Sequence, residues 1–184
     1  MTLQPWVSSK WGVWNTWILA TMIGWGLQQL PFIAFLGWVP LGVLQWLVLQ
    51  NVIAQAGWWV IATTVAMPLA NLIRAMVGDP APHSGVTSLV VFIRILVPGS
   101  ILGAAQWMVL RNKVPRAGWW VVVTVVAMAP YHVAVFLGYE WEWIYNFHFE
   151  YWLGLTAAIL AFAIVTAEIL VRRLQLAGQW SESK

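Results

Sequence analysis

Apolar residues run along this chain in long blocks and do not alternate with polar ones. Six stretches are rich enough in them to read as membrane helices: 11–30, 37–50, 57–76, 89–110, 118–138 and 152–172. A spanning helix needs roughly 20 mainly apolar residues. The second stretch is the shortest, and Pro31 and Pro40 interrupt its approach. The strands of a transmembrane β-barrel alternate over only about 10 residues. The pattern therefore predicts an all-α integral membrane bundle of about six transmembrane helices, with residues 1–184 as one transmembrane domain. The segment before the first block is short and has no small-residue cleavage pattern behind it, so the first helix is expected to be its own insertion signal.

Composition sharpens this reading. Of the 184 residues, 61% are hydrophobic and 8% charged, against about 25% charged in a soluble domain. A soluble monomer and a disordered chain are both excluded. The chain has no cysteine, which excludes disulfides, thiolate metal sites and Cys nucleophiles. Lys and Arg stay preferentially in the cytoplasm. With six spans, Lys10, Arg111, Lys113, Arg116, Arg172, Arg173 and Lys184 fall on the side of the termini, and only Arg74 and Arg94 on the other. This predicts both termini cytoplasmic. The basic surface suits anionic lipid and gives no reason to expect nucleic acid as a partner.

A block of sequence recurs. Residues 41–67 and 102–128 are identical at 16 of 27 positions, at a shift of 61 residues. Leu41-Gly42 and Gln45-Trp46 return as Leu102-Gly103 and Gln106-Trp107, and Ala56-Gly57-Trp58-Trp59 as Ala117-Gly118-Trp119-Trp120. Trp17 and Thr21 echo Trp59 and Thr63, and Arg172 follows Arg111 by 61 residues. The unit is two helices long, so the copies share one direction. Tandem parallel two-helix hairpins are expected, with units of roughly 11–50, 51–112 and 113–174. The repeated Gln-Trp and Ala-Gly-Trp-Trp unit resembles one found in uncharacterised multi-spanning membrane proteins of bacteria, many of them phototrophs. That resemblance implies a multi-spanning fold, a place in a bacterial plasma or intracytoplasmic membrane and a leaning toward pigment-associated roles, but no activity or site residues.

The chain has sixteen tryptophans. Eleven fall toward the expected inner side and five toward the outer, as an aromatic belt would have them. The pairs Trp58/Trp59 and Trp119/Trp120 read as belt residues at helix starts. Trp46 and Trp107 sit deeper, where they could form an aromatic wall for a flat or cationic ligand. Gln45 and Gln106 need partners in hydrocarbon, and each reads as an interhelical clamp contributing about 0.6–2 kcal/mol. Close helix contact is expected at Gly99/Gly103, Ala20/Gly24, Gly154/Ala158, Ala157/Ala161 and Ala163/Ala167, all spaced by four.

Candidate chemistry gathers toward the outer side. Pro40, Pro68, Pro98 and Pro130 each remove a backbone hydrogen bond and are expected to kink or open their helices. Beyond them lie Gln28, Gln29, Asn71, Arg74, Arg94, Tyr131 and His132. Ionisable residues at membrane depth are candidate functional residues, with snorkelling of Arg74 and Arg94 and a structural His132 as the competing readings. Residues 139–152 read as a loop that interleaves aromatics with Glu140, Glu142, His148 and Glu150. It could serve as an interfacial cap or a lid. The candidate ligand-binding set is Trp46, Trp107, Arg74, Arg94, His132, Trp141, Trp143 and His148. A metal on His148 with Glu150 or His83 matches no known ligand spacing. Glu168 and Arg172, at i,i+4, read as an ion pair.

No nucleophile elbow, metalloprotease helix or phosphate loop is present. The reading this favours is a non-enzymatic subunit or scaffold. It would bind partner helices, lipid or an apolar cofactor such as a carotenoid or chlorophyll-type pigment, as an accessory to a larger membrane or photosynthetic complex. A transporter or substrate-binding component with an outward aromatic and polar cavity is the alternative. An intramembrane enzyme acting on lipid is the third.

Overall fold

The computed structural model describes residues 10–30, 36–77, 88–145 and 148–176, with side chains at 88–89, 91–92 and 134–151 excepted. Among these residues the secondary structure is helical, with no strand. Six helices follow one another: α1 (Lys10–Gln28), α2 (Val39–Leu49), α3 (Trp58–Val77), α4 (Ser88–Leu110), α5 (Trp119–Tyr145) and α6 (His148–Leu176). Each coincides with one of the six apolar blocks.

Three segments are long and apolar enough to cross a membrane: Trp58–Val77, Ile93–Leu110 and Trp152–Leu176. Val39–Leu49 and Trp119–Val133 are apolar but shorter. The 11 residues of α2 reach only about 16 Å at 1.5 Å each, roughly half of a ~30 Å hydrocarbon core.

Each helix packs against the next in chain order, and α6 returns to α1. The described helices thus form a closed ring. One core cluster draws together Val13 and Trp17 from α1, Ala56 and Trp59 at the start of α3, and Ala117 and Trp120 at the start of α5. It also takes in the ends of the other three helices through Leu49, Leu110 and Leu174. The odd helices therefore start, and the even helices end, at one side of the ring, here called the inner end. A second cluster of Met67, Leu102, Met128 and Phe162 lies beyond it. A third, of Trp25, Leu155 and Ile159, lies toward the outer end. Large apolar side chains such as Ile23, Leu47, Val65, Met108, Val126 and Leu153 face outward, so the exterior is as apolar as the interior.

The connections 50–57 and 111–118 carry the same backbone hydrogen bonds. Ile53 and Val114 donate to the carbonyls of Leu49 and Leu110, and Trp59 and Trp120 to those of Ala56 and Ala117. Gln55 (φ 63°) and Arg116 (φ 53°) both take the left-handed conformation, which non-glycine residues adopt rarely.

Glycines set the helix spacing. A Cβ on Gly24 would stand 2.7 Å from the Cα of Leu41. One on Gly99 would stand 2.8 Å from that of Val125, and one on Gly103 2.9 Å from that of Val121. These are the close contacts expected of Ala20/Gly24 and Gly99/Gly103. Gly154 is different: nothing lies within 4 Å of a Cβ placed there, so the Gly154/Ala158 pair makes no such approach through its glycine.

Two expectations are corrected in part. Pro40 lies in the first turn of α2, where no intrahelical N–H is needed. Pro68, Pro98 and Pro130 lie inside helices that continue past them. The prolines thus do not interrupt the elements. Residues 139–145 and 148–152 are helix and not loop: α5 runs to Tyr145 and α6 begins at His148, with 146–147 outside the described residues.

Gly103→Ala should cost about 1–3 kcal/mol, because the methyl group forces α4 off α5. Gly118→Ala, with open space around it, should be near neutral. Thermal unfolding in detergent, comparing each variant with the parent, checks both; equal effects at the two sites would contradict the packing.

Candidate functional site

Polar chemistry lies at two levels of the ring, and the two are built differently. At the inner end, Trp17, Trp59 and Trp120 come from α1, α3 and α5 and meet on the ring axis. Their centroids are 5.7 Å apart for Trp17–Trp59, 5.7 Å for Trp59–Trp120 and 6.1 Å for Trp17–Trp120. The interplanar angles of 67–82° make all three contacts edge-to-face, the arrangement that the ring quadrupoles favour.

Each indole N–H is satisfied across a helix junction. Trp59 Nε1 donates to Gln45 Oε1 at 3.0 Å, and Gln45 Nε2 donates on to Thr21 Oγ1 at 3.1 Å. Trp120 Nε1 donates to Gln106 Oε1 at 2.9 Å, and Gln106 Nε2 to Thr63 Oγ1 at 3.1 Å. Trp17 Nε1 donates to Thr166 Oγ1 at 3.0 Å, and that hydroxyl donates to the carbonyl of Phe162 at 2.8 Å. Thr124 turns back to the carbonyl of Trp120. The residues of these relays are buried. The relays tie α5 to α4, α4 to α3, α3 to α2, α2 to α1 and α1 to α6. The chemistry here is structural: a buried, hydrogen-bonded plug across one end of the ring.

Gln45 and Gln106 are the interhelical clamps that the sequence suggests, but their tryptophan partners are Trp59 and Trp120 on the next helix. The belt reading of the Trp pairs is half corrected. Trp58 and Trp119 are exposed, at 61% and 56%, while Trp59 and Trp120 are buried. Neighbours on a helix differ by about 100° in direction, so one of each pair faces out and the other faces the axis.

The outer level lacks such closure. His132 on α5 is 6% exposed, and neither of its ring nitrogens has a hydrogen-bond partner among the described residues. Its ring lies 5.1 Å from that of Tyr131, which meets Trp25 of α1 edge-to-face at 6.3 Å. Arg74 of α3 is close enough for its charge to act on His132. Buried and unpartnered too are Arg74 Nε, Trp25 Nε1 and Gln28 Nε2. With the three axial tryptophans as a common level, Gln28, His132 and Arg74 lie about 16, 18 and 22 Å farther along their helices, within about one turn of each other in depth. Buried polar groups in proteins are usually satisfied. Four residues of the outer level are not, each carrying an N–H donor, and they form the candidate ligand-facing group; Trp14 Nε1 and Thr64 Oγ1, nearer the inner end, are unpaired as well.

The residues proposed from sequence thus separate. His132 and Arg74 come together. Trp46 and Trp107 are half-buried against the inner core, at the other end of the ring, and do not join them. Arg94, on α4, keeps an interaction of its own. Trp141 and Trp143 fall in the last turns of α5 and His148 opens α6; their side chains lie outside the described residues, as does the metal reading of His148 with Glu150 or His83. Among the described residues no three His, Cys, Asp or Glu side chains cluster. Glu168 and Arg172 form the expected exposed ion pair. Sequence reasoning missed Thr166, which stands 60 residues after Gln106, one short of the repeat shift. It also missed Trp25, whose only signal is its place eight residues, about two helical turns, after Trp17.

No protein-family model matches the chain, and no curated protein or solved structure matches it.

Gln106→Leu should cost about 1–3 kcal/mol, because it leaves the Trp120 indole and the Thr63 hydroxyl without their partner in the core. In a double-mutant cycle with Trp120→Phe the two costs should fall well short of adding. Unfolding midpoints of the four proteins check this; strict additivity would contradict the relay.

Proposed function

We propose that this protein is a non-enzymatic scaffold or accessory subunit of a membrane complex, spanning the bilayer six times as tandem parallel hairpins. It holds partner helices, lipid or an apolar cofactor such as a carotenoid or chlorophyll-type pigment. The observation that carries this reading is the division of polar residues. Gln45, Gln106 and the buried threonines are consumed in clamping helices together, while the exterior is apolar on every helix. A ring closed at one end by three interlocked indoles is a rigid body with no open axial path at that end. That suits a part that positions others better than one that alternates between two open states.

The closed ring and the shared inner end of the odd helices support the hairpin reading. The charge of the connections supports cytoplasmic termini, since 111–118 carries Arg111, Lys113 and Arg116. A second reading, an outward-facing binding component for a small molecule, is favoured by His132. Its nitrogens are unpartnered and Arg74 is nearby. Such a group would take a ligand with acceptor oxygens.

Purification in mild detergent from native membranes should return the chain with a stoichiometric partner polypeptide or a bound chromophore, read by mass spectrometry and absorption. A colourless chain running alone would overturn the scaffold reading. His132→Leu separates the second reading from a purely structural histidine. Removing an unpaired buried group should raise the stability of the ligand-free protein by about 1–3 kcal/mol, and on the second reading it should also abolish ligand-induced stabilisation in a thermal-shift screen. A fall in stability would mean that His132 holds the fold.

A further inference from the structure

A groove of about 630 Å³ runs along the outside of the ring between α3 and α4. One wall carries Ile61, Val65 and Leu69; the floor is Ala62, Ala66, Ala104 and Ala105. It exists because these positions are small. At the positions 61 residues away in the repeat, Val123 on α5 replaces Ala62, and Val43 and Leu44 on α2 replace Ala104 and Ala105. One end of the groove is polar, formed by Gln55, Asn112 and Lys113, with the exposed Trp58 beside them. The rest is apolar.

Two quantities on this surface agree with one kind of occupant. From Trp58 to Leu69 is 11 residues of α3, about 16 Å of helix. Half of a ~30 Å hydrocarbon core is about 15 Å, so the groove is one leaflet long. Its polar end is also selectively charged. The connection 50–57 holds Gln50, Val52 and Gln55, whereas 111–118 holds Arg111, Lys113 and Arg116 at the same positions. Both connections reach the groove, 50–57 through Ala54 and Gln55 and 111–118 through Asn112 and Lys113, and Lys113 brings its cation to the polar end.

We propose that the α3/α4 groove is a binding site for one anionic phospholipid of the inner-end leaflet. The phosphate sits on Lys113 with the amides of Asn112 and Gln55, and an acyl chain lies over the alanine floor. Trp58 stands at the depth where an indole borders headgroups. The inference deepens the reading above and rests on its membrane placement, but it does not require a partner protein.

Native mass spectrometry of protein reconstituted with equal phosphatidylglycerol and phosphatidylcholine, then washed into detergent, tests it. About one phosphatidylglycerol should remain bound. Lys113→Gln should lower the preference for phosphatidylglycerol about fivefold, the effect of one cation at a membrane surface, and leave phosphatidylcholine retention unchanged. Ala105→Leu should abolish retention of both lipids. Ile61→Trp, at an exposed position, fills the groove from its rim and guards against a folding defect; it should do the same with an unchanged unfolding midpoint. Equal retention in the filled variants would overturn the proposal. So would a change of oligomeric mass on filling with the lipid count intact, which would make the groove a helix-docking surface. Failure to recover a partner from native membranes would defeat the scaffold reading and leave this site standing.

Discussion

An indole carries one N–H, and inside a helix bundle that hydrogen must find an acceptor or cost the fold free energy. Three tryptophans here face one axis, so three acceptors must reach the same level from other helices. Gln45 and Gln106 do this and have a donor to spare, which each passes to a threonine one helix farther on. Thr166 does it for Trp17 with a shorter side chain and hands its own proton to the backbone. Bonds near 3 Å between side chains of different helices require the backbones to be close. A small residue sits three positions before each acceptor, on the same face: Gly42, Gly103 and Ala163. All three are buried. The relay and the small residues are thus one device, and the odd helices must enter the ring from one end for it to work.

That device divides the molecule into unlike halves. In the inner half the three axial indoles and their glutamine and threonine partners are paired and the indoles fill the axis, with Trp14 Nε1 and Thr64 Oγ1 the buried polar atoms there that no described residue pairs. The outer half holds His132, Arg74, Trp25 and Gln28 with polar atoms that no described residue pairs. Proteins keep such groups where something other than stability selects them. The outside of the ring carries its own asymmetry, with an alanine-floored groove between α3 and α4 and bulkier residues at the repeat-related positions of α2 and α5.

Much of the architecture was legible from the residues. The six apolar blocks coincide with six helices because uninterrupted apolar runs leave the backbone no better partner than itself. The Gln-Trp recurrence pointed to interhelical clamping because an amide in an apolar block has few other uses. Trp17 and Thr21 could be matched to Trp59 and Thr63 by spacing alone. What stayed hidden is directional. Sequence spacing does not tell which of Trp58 and Trp59 faces the axis; tertiary packing decides that. Thr166 escaped because a one-residue shift in α6 breaks the register with Gln106, and threonine does not look like glutamine. Residues 139–152 misled because their mixed aromatic and acidic composition resembles a loop, whereas the backbone there is helical on both sides of 146–147. Trp46 and His132 looked like one site because both are unusual in apolar surroundings. The ring places them at opposite ends.

The absence of cysteine makes the central geometry directly measurable. Single cysteines at Asn51 and Asn112, introduced one at a time into the chain in oriented membrane vesicles, can be probed with an impermeant maleimide. A third at Gly37 reports the other end of the ring. Asn51 and Asn112 should label from the same face and Gly37 from the opposite one. Labelling of Asn51 and Asn112 from opposite faces would mean that α3 and α5 enter from different sides, and no common tryptophan level could then exist.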